Sequence, residues 1–189
     1  MKAPVLREGE LVLRSLRYRD RDLWTQVRRI NREWLTPWEA TRPDKVDSTP
    51  LPSYFQMVAH QKREAKHGRS FTMGMWIVDS NRGDERFIGQ ITLGGIVYGA
   101  YRGGYIGYWI DQRFSSRGYT SRAVKMMTVF AFEQLQLHRI EINIRPENDA
   151  SRKVAENAGY SMEGKRLQYL HIDGDWRDHL TFVKTNPKI

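Results

Sequence analysis

The run from Tyr105 to Leu135 constrains the chain more than any other stretch. Tyr105-Ile106-Gly107-Tyr108-Trp109-Ile110-Asp111 is a strong strand pattern. The loop Gln112-Arg113-Phe114-Ser115-Ser116-Arg117-Gly118 follows, and then a helix with Ala123, Met126, Met127, Phe130, Ala131 and Leu135 on one face. A second unit repeats this order. Residues 139–144 read as a short strand, Pro146-Glu147-Asn148-Asp149 opens a helix, and Gly159 stops it. Strand followed directly by helix, twice, places the chain in the α/β class.

The flanking segments supply the rest of the sheet. Gly9 to Leu16 alternates apolar and polar residues, a strand pattern, and Leu23, Val27 and Ile30 mark an amphipathic helix starting near Asp20 or Asp22. Thr36-Pro37-Trp38-Glu39 breaks that helix, and residues 40–52, with Pro43, Pro50 and Pro52, read as a loop. Tyr54, Phe55, Val58 and Ala59 start a second helix ending near Gly68. Strands over 71–79 and 87–97 join through Gly83-Asp84, and Gly103-Gly104 reads as a further turn. Two final strands, roughly 162–172 and 176–184, join at Asp173-Gly174. The expected order is β-α-α-β-β-β-α-β-α-β-β. It describes a single α/β (α+β) domain over 1–189, with a mixed, mostly antiparallel central sheet flanked by helices.

Composition narrows the chemistry. The chain has no cysteine, which excludes disulfides, thiolate nucleophiles and cysteine-ligated metals. His60 and His67 lie on one helix without a third ligand, so no metal is expected. No apolar run approaches the ~18 residues of a membrane span, and the N-terminus has no signal-peptide pattern, so the default expectation is a cytoplasmic protein with no membrane association. The net charge of +9 favours a polyanion or a phosphorylated cofactor. The arginines from Arg14 to Arg32 are interleaved with Asp20 and Asp22.

The loop ending at Gly118 is a plausible anion site, because a helix start presents free N–H groups and positive dipole charge. Neither the Walker pattern nor the dinucleotide fingerprint is present. On spacing alone an ordinary β-to-α turn remains open. In the second unit Asn148 and Ser151, three apart, share one face at a helix start, where Asn148 also suits a plain N-cap.

Together these segments resemble the acetyl-CoA core of the GNAT superfamily of N-acetyltransferases, and more closely its RimJ-like ribosomal-protein-alanine branch. Asn31-Arg-Glu-Trp-Leu-Thr-Pro-Trp-Glu39 is similar to that branch's N-R-x-x-L-x-P-W-E. His138-Arg139-Ile140 matches its H-R-I, and Tyr169 to His179 looks like its Y-L-x-I-D-G-x-W-R-D-H. The likeness runs from about Gly9 to Thr185. The phosphate loop departs from the superfamily's [QR]-x-x-G-x-[GA]: Ser115 stands at the first position, Thr120 at the last, Ser116 where glycine is frequent, and Arg122 where glutamate is usual.

The resemblance implies direct acetyl transfer from acetyl-CoA to an amine, without a covalent enzyme intermediate. It implies cofactor contacts at Trp109, Ile110 and Asp111, at Arg117, Gly118, Tyr119, Thr120, Ser121 and Arg122, and at Asn143, Asn148 and Ser151. Asn148 would bond the pantetheine and Ser151 would protonate the leaving thiolate. Trp38, Glu39, Tyr169 and Trp176 would face the acceptor, with Glu39 as the first choice for general base and Glu141 behind it. An α-amine, with a pKa of about 7.7–8.0, is on the order of 10% neutral at pH 7, against roughly 0.04% for a lysine amine. On these grounds and on the resemblance, a protein N-terminus is the expected acceptor; the resemblance implies a ribosomal protein as its source, and the basic charge goes with proximity to RNA. Transfer of another acyl group such as succinyl, a small-molecule amine, a non-catalytic RNA- or ribosome-binding module, and a CoA-binding regulator stay open, as do a monomer and a homodimer.

Overall fold

The computed structural model of the chain describes residues 3–43, 50–79 and 83–189. Among these, eight strands form one sheet: β1 (Leu6–Glu8), β2 (Leu11–Arg14), β3 (Phe71–Val78), β4 (Glu85–Val97), β5 (Gly103–Ile110), β6 (Arg139–Ile144), β7 (Ser161–Ile172) and β8 (Asp175–Thr185). Their spatial order is β1-β2-β3-β4-β5-β6-β8-β7. Every pair is antiparallel except β5–β6, which is parallel. The helices are α1 (Arg21–Ile30), α2 (Arg32–Leu35), α3 (Tyr54–Lys66), α4 (Tyr119–Val129) and α5 (Asp149–Asn157). The α/β reading with a mostly antiparallel sheet holds. No helix among the described residues is long and apolar enough to cross a membrane.

Alternation along the strands builds a core on each face. Leu13, Met75, Ile91 and Ile142 pack with Val124, Met127 and Ala155, under α4 and α5. Val12, Trp76 and Phe87 face the other way and pack with Val27, Tyr54 and Val58, under α1 and α3. Burying each large apolar side chain contributes about 1.5–3 kcal/mol.

Four local features differ from the sequence expectation. Leu6–Glu8 is an extra edge strand, too short to show a period. The helix from Arg21 ends at Asn31, before Thr36-Pro37, because the buried Asn31 amide donates to the Val27 carbonyl (2.9 Å) and its oxygen accepts from the Gln112 N–H (2.9 Å). Gly103 and Gly104 are not a turn but the start of β5. A Cβ on Gly103 would lie 2.9 Å from the Arg139 carbonyl oxygen, and one on Gly104 would lie 2.9 Å from that of Gly94, so both serve close backbone approach. Phe130–Gln134 continues α4 as a π-turn. The expected loop over 40–52 lies partly outside the described residues, as does the link between β3 and β4.

Candidate functional site

The sheet opens at its parallel pair. β5 and β6 are paired from Gly103↔Arg139 to Tyr105↔Glu141 and no further. The Asp111 N–H donates to the Ile88 carbonyl (2.8 Å), so Asp111 and, by alternation, Trp109 turn their polar main chain towards β4. Tyr108 and Ile110 therefore turn theirs into the split, where no strand meets them. The same alternation sends the main chain of Asn143, two residues beyond Glu141, into the split from β6. The Ile110 carbonyl accepts from the Trp34 indole (3.2 Å), which leaves its N–H facing the gap.

At the end of β5 the chain turns into the loop expected to hold an anion. Asp111 is fully buried and caps the Arg113 N–H (3.1 Å), while the Arg113 guanidinium grips its carboxylate at 2.6 Å. Burial alone would raise the Asp111 pKa, but Arg113 and Asn31 outweigh it and hold the carboxyl below the usual aspartate range. Ser116 has φ +59° and Gly118 has φ +79°, the left-handed region, on either side of Arg117. Gly118 is the N-cap of α4 and has no side chain to cap it, so the first-turn N–H groups at Tyr119, Thr120 and Ser121 are offered to whatever binds there. Ser116 thus takes the conformation for which glycine is the favoured residue.

The two arginines of this region have different surroundings. Arg117 is exposed, lies against Phe114 at 5.3 Å, and makes no ion pair among the described residues. Arg122 is held by Glu8 (2.9 Å) and Glu10 (3.0 Å) and donates to the Glu8 carbonyl (2.6 Å), a set of contacts made with the β1–β2 hairpin.

Across the split, Asn148 is the N-cap of α5, and its oxygen accepts from the Ser151 N–H (3.0 Å). The Ser151 hydroxyl and the Asn148 amide nitrogen make no hydrogen bond among the described residues. Tyr108, half-way along the opposite wall, donates its hydroxyl to the Ser151 carbonyl at 3.2 Å. The Asn143 side chain accepts from the Thr181 hydroxyl (2.8 Å).

Of the residues expected to face the acceptor, Trp38 and Glu39 lie beside Arg145 and Arg28. The Arg145 guanidinium donates to the Pro37 carbonyl (2.7 Å) and lies 5.4 Å from the Trp38 ring. Glu39 is ion-paired with Arg28, which also lies 5.2 Å from the Trp109 ring. The Glu39 carbonyl accepts from the Asp173 N–H (3.1 Å), tying this turn to the β7–β8 hairpin. Tyr169 packs edge-on against the buried His179 at 5.8 Å. Trp176 stands farther out on the hairpin against His171. Glu141 is buried among Arg139 (2.9 Å) and Arg166 (2.7 Å), a structural ion cluster. On the same sheet face a concavity of about 570 Å³ is lined by Gln90, Thr92 and Tyr105 from the sheet and by His60 from α3.

Asn31, Tyr108 and Arg145 were not singled out from the sequence as site residues. Asn31 lies inside the 31–39 motif and Tyr108 inside the 105–111 strand, so alternation along that strand is the signal for Tyr108.

A family model described as the acetyltransferase (GNAT) domain matches residues 10–161. The chain is 31% identical over 171 residues to the [ribosomal protein uS5]-alanine N-acetyltransferase of Escherichia coli strain K12, covering 89% of this chain and 84% of that one. It is 38% identical over 104 residues to the probable N-acetyltransferase YjcK of Bacillus subtilis strain 168, a match that spans 55% of this chain and 58% of the relative. Among solved structures, Mycobacterium smegmatis RimJ in complex with CoA-disulfide superposes with a TM-score of 0.84 at 32% identity, over 100% of this chain and 89% of that one.

Proposed function

The chain belongs to the acetyltransferase (GNAT) family, and from that premise we propose that it transfers an acetyl group from acetyl-CoA directly to the N-terminal α-amine of a protein, with a ribosomal protein as its acceptor. The observation that carries this reading is the pairing of an opened β5–β6 seam with an uncapped helix start next to it. An extended amide-bearing arm can complete the seam as a strand would, while a diphosphate takes the free N–H groups. The relatives named for ribosomal-protein alanines, and the neighbour that holds a CoA disulfide, support the same choice of substrates. A cytoplasmic location goes with such an acceptor.

When bound, acetyl-CoA supplies an activated acyl group. The chain's own groups then divide the work. The Tyr119, Thr120 and Ser121 N–H groups and the Arg117 guanidinium bind the diphosphate. The Asn148 amide nitrogen donates to the pantetheine arm. The Ile110 N–H, fixed by the strand, donates to the thioester oxygen as charge builds on it. The Ser151 hydroxyl, which makes no hydrogen bond among the described residues, would donate to the sulfur as the carbon–sulfur bond breaks and would be reprotonated from water, so that the thiol leaves protonated and the serine stays neutral.

Trp38 and Tyr169 wall the acceptor side, and the concavity beside Tyr105 takes the residues that follow the reacting amine. Glu39 accepts the amine's proton through water while it is shared with Arg28. A positioned base typically contributes about 10²–10⁴-fold, and an amine already on the order of 10% neutral needs less of it. Isothermal titration of the chain with CoA tests the cofactor half of this reading. Saturable binding that weakens when Ser121 is replaced by proline, which removes one first-turn N–H, is the expected result; no heat with CoA contradicts it.

A further inference from the structure

A second feature lies on the opposite sheet face from α4, at the junction of α1 and α3. Tyr18 and Phe55 are 48% and 50% exposed, and their rings meet edge to face at 5.7 Å. The Lys62 ammonium lies 4.4 Å from the Tyr18 ring centre, and the Arg21 guanidinium lies 5.7 Å from that of Phe55. Arg17 and Arg19 are exposed beside them. The Tyr54 hydroxyl donates to the Arg17 carbonyl (2.8 Å), which fixes the turn carrying Tyr18 against α3.

The local charge is one-sided. Over residues 17–22 and 54–63 the cations are Arg17, Arg19, Arg21, Lys62 and Arg63, and the acids are Asp20 and Asp22. Asp20 is buried and committed to Arg14 at 2.8 Å. Asp22 remains, at 3.6 Å from Arg21. Half-exposed rings ringed by cations carry the two elements of single-strand recognition, a stacking surface and phosphate partners. An acidic protein would pair with the cations but would give the rings no specific role. A membrane would require a wider apolar face than two rings.

We propose that this patch binds single-stranded RNA. Tyr18 and Phe55 stack bases, while Arg17, Arg19, Arg21 and Lys62 take phosphates. None of these residues belongs to the acetyl-transfer site, so the assignment stands apart from the proposed reaction.

The test is fluorescence anisotropy of the full chain with a labelled single-stranded RNA of mixed sequence, at two salt concentrations. Four phosphate contacts predict a log–log salt slope of about −3, hence about fiftyfold weaker binding for a fourfold rise in salt. Replacing both rings, Tyr18→Ala with Phe55→Ala, is expected to weaken binding about tenfold or more and to leave the slope unchanged. Arg21→Glu with Lys62→Glu is expected to flatten the slope. Phe55→Trp keeps a stacking face and should retain affinity, which guards against a folding artefact in the alanine variant. Acetylation of a free peptide should be the same in all of them. No binding at low salt overturns the proposal. So does unchanged affinity after loss of both rings in a folded variant, or ring-dependent competition by polyglutamate as strong as that by unlabelled RNA, which would assign the patch to an acidic protein.

Discussion

The Tyr108 hydroxyl donates to the Ser151 carbonyl at 3.2 Å, and this one bond joins the two walls of the β5–β6 split. Tyr108 belongs to the strand that lines the split, and Ser151 to the helix start proposed to carry the proton donor. Burial pushes the Tyr108 hydroxyl above its ordinary pKa, so it remains a neutral donor well into the alkaline range. Tyr108→Phe should cost about 0.5–1.5 kcal/mol of stability by urea unfolding. It should lower kcat with little change in the KM for acetyl-CoA, because it frees the helix start without touching the diphosphate loop. Ser151→Ala should lower kcat more, and the double variant should fall short of the product of the two effects, since both act at one wall. Independent, multiplicative losses contradict the coupling.

Ser116 holds φ +59° next to Gly118 at φ +79°. A side chain in that region costs roughly 1 kcal/mol, and glycine removes the cost. Ser116→Gly should raise Tm by about 2–4 °C in a thermal scan, and acetyl-CoA affinity should stay the same or rise. A drop in both would mean that the Ser116 side chain makes a contact that stabilises the loop.

Arg117 and Arg122 should separate in kinetics. Arg117 is exposed and makes no ion pair among the described residues, whereas Arg122 is occupied by Glu8 and Glu10. Arg117→Ala should raise the KM for acetyl-CoA about two- to fivefold, the range of an exposed charge contact. Arg122→Ala should raise it less and should instead loosen the β1–β2 hairpin, read as faster amide exchange over Leu6–Leu13. The reverse order of KM effects would place the diphosphate nearer Arg122.

His179 gives the fold a pH dependence. Burial lowers its pKa below 6.5, Arg145 adds to that, and the Arg177 carbonyl at 3.0 Å opposes them only in part. The unfolded chain therefore takes up this proton first as pH falls. Stability from this group is complete above about 6.5 and is lost below it, by at most about 1.4 kcal/mol per pH unit. Urea midpoints should fall from pH 7.5 to 5.5 in the wild type, and less steeply in His179→Gln. Parallel slopes in the two proteins would remove His179 as the cause.

Much of this arrangement is legible in the sequence because it is local. The strand at Tyr105, the helix after Gly118 and the I′-type turn at Asp173-Gly174, with φ +49° and +77°, each follow from periodicity and turn chemistry within a few residues. Asn148 as N-cap follows in the same way. What escaped depends on contacts distant in sequence. Nothing near Arg122 reveals that Glu8 and Glu10 will hold it, since they approach only when β1 folds back beside α4. Gly103-Gly104 reads as a turn until β6 and β4 come alongside, where the Arg139 and Gly94 carbonyls require the space. Arg14 counts towards a basic stretch in the sequence, but folding buries it between Asp20 and Glu85 and against Trp76.

The central claim, acetyl transfer from acetyl-CoA to a protein α-amine, is tested most directly by peptide mass spectrometry. The chain is incubated with acetyl-CoA and two peptides of equal length. One begins with a free alanine, and the other has a blocked N-terminus and an internal lysine. One acetyl group on the alanine α-amine, thiol release in equal amount and no modification of the blocked peptide are the predicted result. Acetylation of the lysine in the blocked peptide with none at the alanine, or no acetyl transfer to either, contradicts the account.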